Sequence, residues 1–238
     1  MTDLNSDLGE GESPARTRAL MGIVTSANVA CGGHAGTAET MDRCVRLAVE
    51  FSVRLGAHPG LPGAFGRGTT RISPGELELL LIHQISALMR IAKARSCTVV
   101  HVKLHGSLYH ATEQEPKLTA VYLQALGRWF PGLRVLALAG GRVAAAARTS
   151  GIPVWEEAFL DRGYRRDGTL VPRGLPGAMI ADVSDVRRRI REVGRGQGVE
   201  TEAGGRWAMR PQTWCVHADT PKAVTLARAA AAILFPGR

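Results

Sequence analysis

Aromatic residues make up only 5% of the 238-residue chain, and lysine occurs four times against 26 arginines. The formal charge of +9 invites an acidic partner. With so few aromatics, however, no basic stretch is interleaved with stacking rings, the arrangement that holds single-stranded nucleic acid. Apart from Arg187, Arg188, Arg189, Arg191 and Arg195, which coat one helix face, the arginines are scattered, so no nucleic-acid partner is expected. The apolar stretches around 77–82 and 229–235 fall far short of the roughly 20 residues that span a bilayer, and no membrane association is expected either. Cysteines at 31, 44, 97 and 215 form no C-x-x-C pair, which argues against a zinc knuckle or a disulfide framework. Asp3, Asp7, Glu10 and Glu12 precede the first basic residue, Arg16, the reverse of a secretion signal, so a cytoplasmic location is expected. The phosphate-binding loop, a complete dinucleotide fingerprint, H-E-x-x-H and G-x-S-x-G are all missing. What remains is His, Asp and Lys chemistry: general acid–base catalysis, or a His/Asp metal site that activates water.

What is present is an alternation. Apolar, β-rich runs near 3–8, 23–29, 53–57, 98–103, 133–138, 152–157 and 212–217 alternate with helix-like stretches at 38–51, 74–95, 116–129, 141–149, 183–193 and 220–235. Ser73-Pro74 with Glu76 predicts a capped helix start, and Thr220-Pro221 predicts another. Strand-then-helix repetition implies parallel strands with helical crossovers. Seven such units without a low-complexity linker predict one domain over 1–238, an α/β distorted parallel (β/α) barrel of about seven strands. The segment 158–178, with Gly163, Gly168, Pro172, Gly174, Pro176 and Gly177, reads as a long loop, a place where function concentrates.

The unusual polar residues sit where the predicted strands end: Asn5, Asp7 and Glu10; Asn28 and His34; His58; Lys103 and His105; Glu156, Glu157 and Asp161; His217 and Asp219. In a parallel barrel all these ends share one face. His101, Lys103 and His105 alternate and so point to one side of their strand. His83 and His110 read as packing or surface residues. A lysine closing the run 99–102, in a chain that otherwise prefers arginine, implies that an amine is required there, and its removal is expected to hurt catalysis more than folding. A carboxylate at Asp7, facing the barrel interior, requires a histidine, lysine or metal partner.

Several blocks, taken in order, resemble the LamB/YcsF family, identified with the A component of 5-oxoprolinase. They are Asp3-Leu4-Asn5 with Asp7-Leu8-Gly9-Glu10; 25–32 with His34-Ala35-Gly36; Gly56-Ala57-His58-Pro59-Gly60; Phe65-Gly66-Arg67; His101-Val102-Lys103 with His105-Gly106 and Leu108-Tyr109; Asp161-Arg162 with Tyr164; 168–173; and Cys215-Val216-His217 with Asp219-Thr220-Pro221. The resemblance implies a barrel related to the glycoside hydrolase/deacetylase barrels. It implies ATP-dependent opening of the 5-oxoproline lactam to glutamate, with ATP as co-substrate and with partner subunits B and C. The implied catalytic set is Asp7, His34, His58, Lys103, His105, Asp161, His217 and Asp219. Substrate or phosphate contacts fall to Asn5, Asn28, Arg67, Tyr109, Arg162 and Arg173, and a divalent metal at Asp7, His34 and His58 stays open.

Against the family pattern, Gly33 replaces a usual Phe, Thr37 and Gly63 replace Asp, Gly68 replaces Arg, Leu104 replaces Pro, His110 replaces Asn and Ala218 replaces Gly. Two alternatives therefore stand beside the lactam reading: a metal-dependent, deacetylase-like amide hydrolase working without ATP, and a catalytically impaired binding subunit.

Overall fold

The first strand, β1 (Asp3–Leu8), is polar at alternate positions and yet wholly buried. Alternation sends Asp3, Asn5 and Asp7 to one side and Leu4, Ser6 and Leu8 to the other. The polar side is the inside of a barrel. The computed structural model describes residues 2–63 and 71–237. Its elements follow in order as α1 (Pro14–Met21), β2 (Ser26–Ala30), α2 (Ala38–Glu50), β3 (Arg54–His58), α3 (Pro74–Lys93), β4 (Val99–Val102), α4 (Gly106–Gln114), α5 (Pro116–Trp129), β5 (Arg134–Leu138), α6 (Arg142–Thr149), β6 (Val154–Phe159), α7 (Val183–Gly194), β7 (Val199–Glu200), β8 (Arg206–Trp207), β9 (Thr213–Cys215) and α8 (Ala223–Leu234). Seven parallel strands pair in the order β1-β2-β3-β4-β5-β6-β9, and β9 closes the barrel on β1 through Asp3↔Thr213 and Asn5↔Cys215.

Hydrogen bonds between strands that are not neighbours cross the lumen, and these identify its lining. Asn5 on β1 donates to Glu157 on β6 at 2.9 Å. His101 on β4 meets Asn28 on β2 at 2.8 Å, and the ammonium of Lys103, just past β4, reaches Asp7 on β1 at 3.0 Å. Gly56 on β3 makes room for this layer, because a Cβ there would lie 2.0 Å from His101 Nε2. At the floor, Asp3 accepts from Thr25, Ser26, Thr213 and Arg54. The apolar core lies instead between barrel and helices, where Leu4, Leu8, Val29, Ala57 and Val102 meet the inner faces of the helices.

Those inner faces follow from spacing. α3 buries Leu77, Leu81, Ile85, Leu88 and Ala92, all on one helical stripe, and its start carries the expected capping box between Ser73 and Glu76. α2 is capped by Thr37 and Thr40, so threonine satisfies the first-turn amides where the family pattern has Asp.

One expectation needs correction, and the structure adds detail at three other places. Thr220 does not cap α8, which begins at Ala223; its hydroxyl is drawn to Asp161 at 2.5 Å instead. The stretch 158–178 begins inside β6 and is tied down by bridges Tyr164↔Leu170 and Arg162↔Met179. α1 and α4 lie outside the predicted helices: α1 has the Ser13-Pro14 start signal but buries only Thr17, Leu20 and Met21, and α4 begins without a side-chain cap. The β7–β8 hairpin is two residues per strand, too short for periodicity to reveal. No helix among the described residues is long and apolar enough to cross a membrane.

Candidate active site

The carboxyl ends of the strands open on a cavity of about 600 Å³. Asp7, His58, Lys103, His105, Tyr109, Phe159, Arg162, Arg173 and His217 line it, so residues 210 positions apart share one wall, as strand parallelism requires. At its floor, the Lys103 ammonium lies 3.0 Å from Asp7 Oδ1, 3.0 Å from Glu157 Oε1 and 3.1 Å from Cys215 Sγ. Burial is the largest influence and disfavours the ammonium, but Asp7, Cys215 and Glu157 together outweigh it and hold Lys103 well above the ordinary lysine value. Asp7 is likewise opposed by burial and yet lowered, by the positive charge of His58 and Lys103. Glu157 moves the other way: burial raises it more than Lys103 lowers it.

Lys103 is thus the counter-charge of two buried carboxylates. The expectation that its removal hurts catalysis more than folding meets a structural role here, because removal leaves Glu157 without its cation and Asp7 with His58 alone. The partner that Asp7 required is found twice over, in Lys103 and in His58 at 3.5 Å.

His217 is held from behind. Asp161, fully buried, accepts from the His217 backbone N–H at 2.9 Å, from ring Nδ1 at 3.0 Å and from the Thr220 hydroxyl at 2.5 Å. Burial raises the Asp161 carboxyl, but His217 and these donors prevail and hold it down to about 2. Because a carboxylate only accepts, Nδ1 carries a ring proton, which in the neutral tautomer leaves Nε2 with its lone pair on the side of Asp7 and the cavity.

A second cluster adjoins the first. Glu10 Oε1 lies 2.8 Å from His34 Nε2, 3.2 Å from His58 Nε2 and 2.9 Å from His105 Nδ1. The His34 and His105 rings stack at 3.6 Å, and Gly60 allows it, since a Cβ there would fall 2.3 Å from His34 Nδ1. Burial lowers His34 to about 4. Burial also works against a charged His58, but Asp7 and Glu10 raise it above the ordinary value. These four residues offer ligand atoms close enough together to hold a metal ion, and Asp7, Cys215 and His217 form another such group. The metal set expected at Asp7, His34 and His58 is therefore divided between two groups.

The other predicted residues have distinct places. Asn5 and Asn28 are fully buried below the cavity with their amides engaged by Glu157, Thr213, Asp7 and His101, so they orient the acids rather than reach a substrate. Tyr109 donates to Glu157 at 3.3 Å. Arg162 is braced by the carbonyls of Val171 and Ala178. Asp219 stands at the rim, half-exposed, paired with Arg173 at 2.9 Å. Arg67 and Gly68 lie outside the described residues. His83 is exposed, as expected, and His110 lies on the cavity wall. Gly33 is not a neutral loss of Phe, because a Cβ there would lie 2.0 Å from the Gly60 carbonyl and 2.4 Å from the Gln84 amide. Glu10 and Glu157 stand at predicted strand ends but outside the predicted catalytic set; an acidic residue inside a buried strand is the signal for Glu157, whereas Glu10, half-buried on the loop after β1, carries none beyond its position.

Fold and site together define a closed parallel-barrel protein whose carboxyl-end mouth carries buried histidine–carboxylate chemistry. The chain belongs to the LamB/YcsF family, whose profile it matches over residues 2–235. It is similar to the lactam utilization protein from Thermus thermophilus, at 38% identity and a TM-score of 0.89, over 98% of this chain and 95% of that one. A more distant likeness, at 13% identity and a TM-score of 0.58 over 100% of this chain and 84% of that one, is to the uncharacterized protein ATU2773 from Agrobacterium tumefaciens C58. That second likeness is one of fold.

Proposed function

We propose that this protein opens the lactam ring of 5-oxoproline to glutamate, coupled to ATP hydrolysis, as the A component of a cytoplasmic 5-oxoprolinase with partner subunits B and C. The observation that carries the reading is His217, its tautomer set by Asp161, lying beside Asp7 on a cavity that Lys103 and Arg162 also line. Membership of the LamB/YcsF family and likeness to a lactam utilization protein support it.

A lactam is a poor electrophile, and phosphorylation of its oxygen by ATP, with ADP leaving, corrects that. Water then adds to the activated ring carbon while His217 Nε2 takes its proton. The C–N bond breaks as a proton passes to nitrogen, and a second water releases phosphate from the resulting acyl phosphate, leaving glutamate. Lys103 supplies fixed positive charge where negative charge develops on oxygen, in a site that screens it poorly. Arg162 and Arg173 are placed on the wall to receive the substrate carboxylate or the phosphate. The sequence has no phosphate-binding loop, so the reading assigns nucleotide handling to a site completed with the partner subunits.

The test is release of glutamate and ADP from 5-oxoproline and ATP, measured with and without the two partners. Turnover is expected with the partners and little without them. Robust ATP-dependent turnover by the isolated chain contradicts the division of labour, and no turnover in the full mixture contradicts the assignment. The three-histidine cluster favours a second reading, amide hydrolysis without ATP, which a chelator-sensitive deacetylase assay distinguishes.

A further inference from the structure

We infer that Arg189, on α7, is a positioning residue for His217: from behind the barrel mouth it fixes the turn of chain that holds the imidazole. The arginines of α7 do not all coat one face. Arg189 falls on the stripe that the helix buries, with Val186, Ile190 and Val193, and is 7% exposed, whereas Arg187, Arg188, Arg191 and Arg195 stand in solvent. A guanidinium on an apolar stripe costs free energy unless its N–H groups find acceptors, and arginine stays charged even there.

The acceptors are backbone carbonyls at the end of β6. Residues 157–164 are all buried, and past Phe159 the chain leaves the strand, so the carbonyls freed by the turn need donors. Arg189 Nη1 supplies two. It donates to the carbonyl of Phe159 at 2.7 Å and to that of Arg162 at 2.5 Å, with the Leu160 carbonyl at 3.5 Å. The remaining carbonyl, that of Asp161, accepts from the Ile180 N–H at 2.9 Å. Tyr164 completes the brace: its hydroxyl accepts from the Phe159 N–H at 2.7 Å, and its ring centroid lies 5.3 Å from the guanidinium carbon of Arg189.

Both residues that restrain His217 sit on this turn. The Asp161 carboxylate takes the His217 backbone N–H and ring Nδ1–H, and the Phe159 ring lies at 8° to the imidazole with centroids 5.4 Å apart. The two carbonyls that Nη1 ties together flank Asp161. With both fixed to one planar group on a packed helix, the direction of the Asp161 side chain between them is fixed as well. Arg189 is not among the residues that line the cavity, so its action passes through Phe159 and Asp161 and not through contact with a substrate.

This inference rests on the lactam reading only where turnover is measured, and its first readout is the tautomer of His217. In the full-length chain at a pH where the ring is neutral, ¹H–¹⁵N correlation spectra of the imidazole, assigned by His217→Gln, should show Nδ1 protonated and Nε2 bare. Arg189→Met, confirmed folded by circular dichroism, should show a mixture in which the Nε2–H tautomer exceeds about 10%. In the assembled system its kcat for lactam opening should fall by about ten- to a hundredfold with KM nearly unchanged, the scale of a slightly misplaced catalytic group. Arg189→Lys, which keeps the charge but not the planar fork, should fall between parent and Arg189→Met in both measurements. A residue that only stabilises the fold predicts a lower melting temperature with tautomer and kcat at parent values, and that result overturns the proposal. Should Arg189→Met not fold, Arg189→Lys decides by the same two measurements: a mixed tautomer with lowered kcat supports the role, and parent values overturn it. A tautomer shift in a parent assembly that shows no lactam turnover sinks the lactam reading and leaves the positioning role standing.

Discussion

Asp161 grips His217 twice, through the backbone N–H at 2.9 Å and the ring Nδ1–H at 3.0 Å. Backbone and ring are held by one carboxylate, so the imidazole has neither a free tautomer nor a free orientation. Asp161→Asn keeps the shape but can donate to Nδ1, which moves the ring proton to Nε2 and removes the lone pair from the cavity side. In the assembled system kcat for lactam opening should fall by about 10²–10⁴, with KM nearly unchanged, the scale of losing a general base. A kcat within a few-fold of the parent rules out His217 as the base.

Lys103→Met should cost about 3–5 kcal/mol of stability in urea unfolding, because it leaves Glu157 buried without a counter-charge and takes from Asp7 the nearer of its two, His58 remaining at 3.5 Å. Adding Glu157→Gln should restore part of that loss, since it removes the stranded charge and keeps an acceptor for Asn5. An unchanged unfolding midpoint for Lys103→Met shows that the acids do not depend on the ammonium.

Burial lowers His101 to about 4, so its ring stays neutral in the folded chain well below the pH at which the unfolded chain takes up a proton. The sign follows directly. Above about pH 6.5 the ring is neutral in both states and its contribution is intact; between about 6.5 and 4 only the unfolded chain gains the proton, and stability falls by roughly 3 kcal/mol. Unfolding free energies measured from pH 7 to 4.5 should show a slope about one proton smaller in His101→Gln. Identical slopes in the two proteins contradict a neutral buried His101.

Gly56→Ala should destabilise the fold by at least about 1–3 kcal/mol, because the new methyl group lies 2.0 Å from where His101 Nε2 now sits. His101→Ala in the same chain should relieve it, giving a double-mutant coupling of opposite sign to the single losses. Additive losses mean that the two residues do not compete for the same space.

The sequence by itself determined the architecture. Seven alternations of β-rich and helical runs admit few arrangements other than parallel strands with helical crossovers, and local signals such as Ser73-Pro74 with Glu76 act within one turn of chain. Parallelism also brought Asp7, His58, Lys103, His105 and His217 to one mouth, since that follows from strand direction alone. Only the closed barrel decided what each polar residue does there. Periodicity says which side of a strand a residue faces, but not what stands opposite, and distances across the lumen depend on barrel closure and strand register. Closure put Glu157 opposite Lys103, giving the ammonium a structural duty. It also committed the amides of Asn5 and Asn28 to the acids beneath the cavity. It carried Glu10, on a loop, to within 3.2 Å of histidines from three other crossovers, a convergence of side chains that no spacing in the chain encodes.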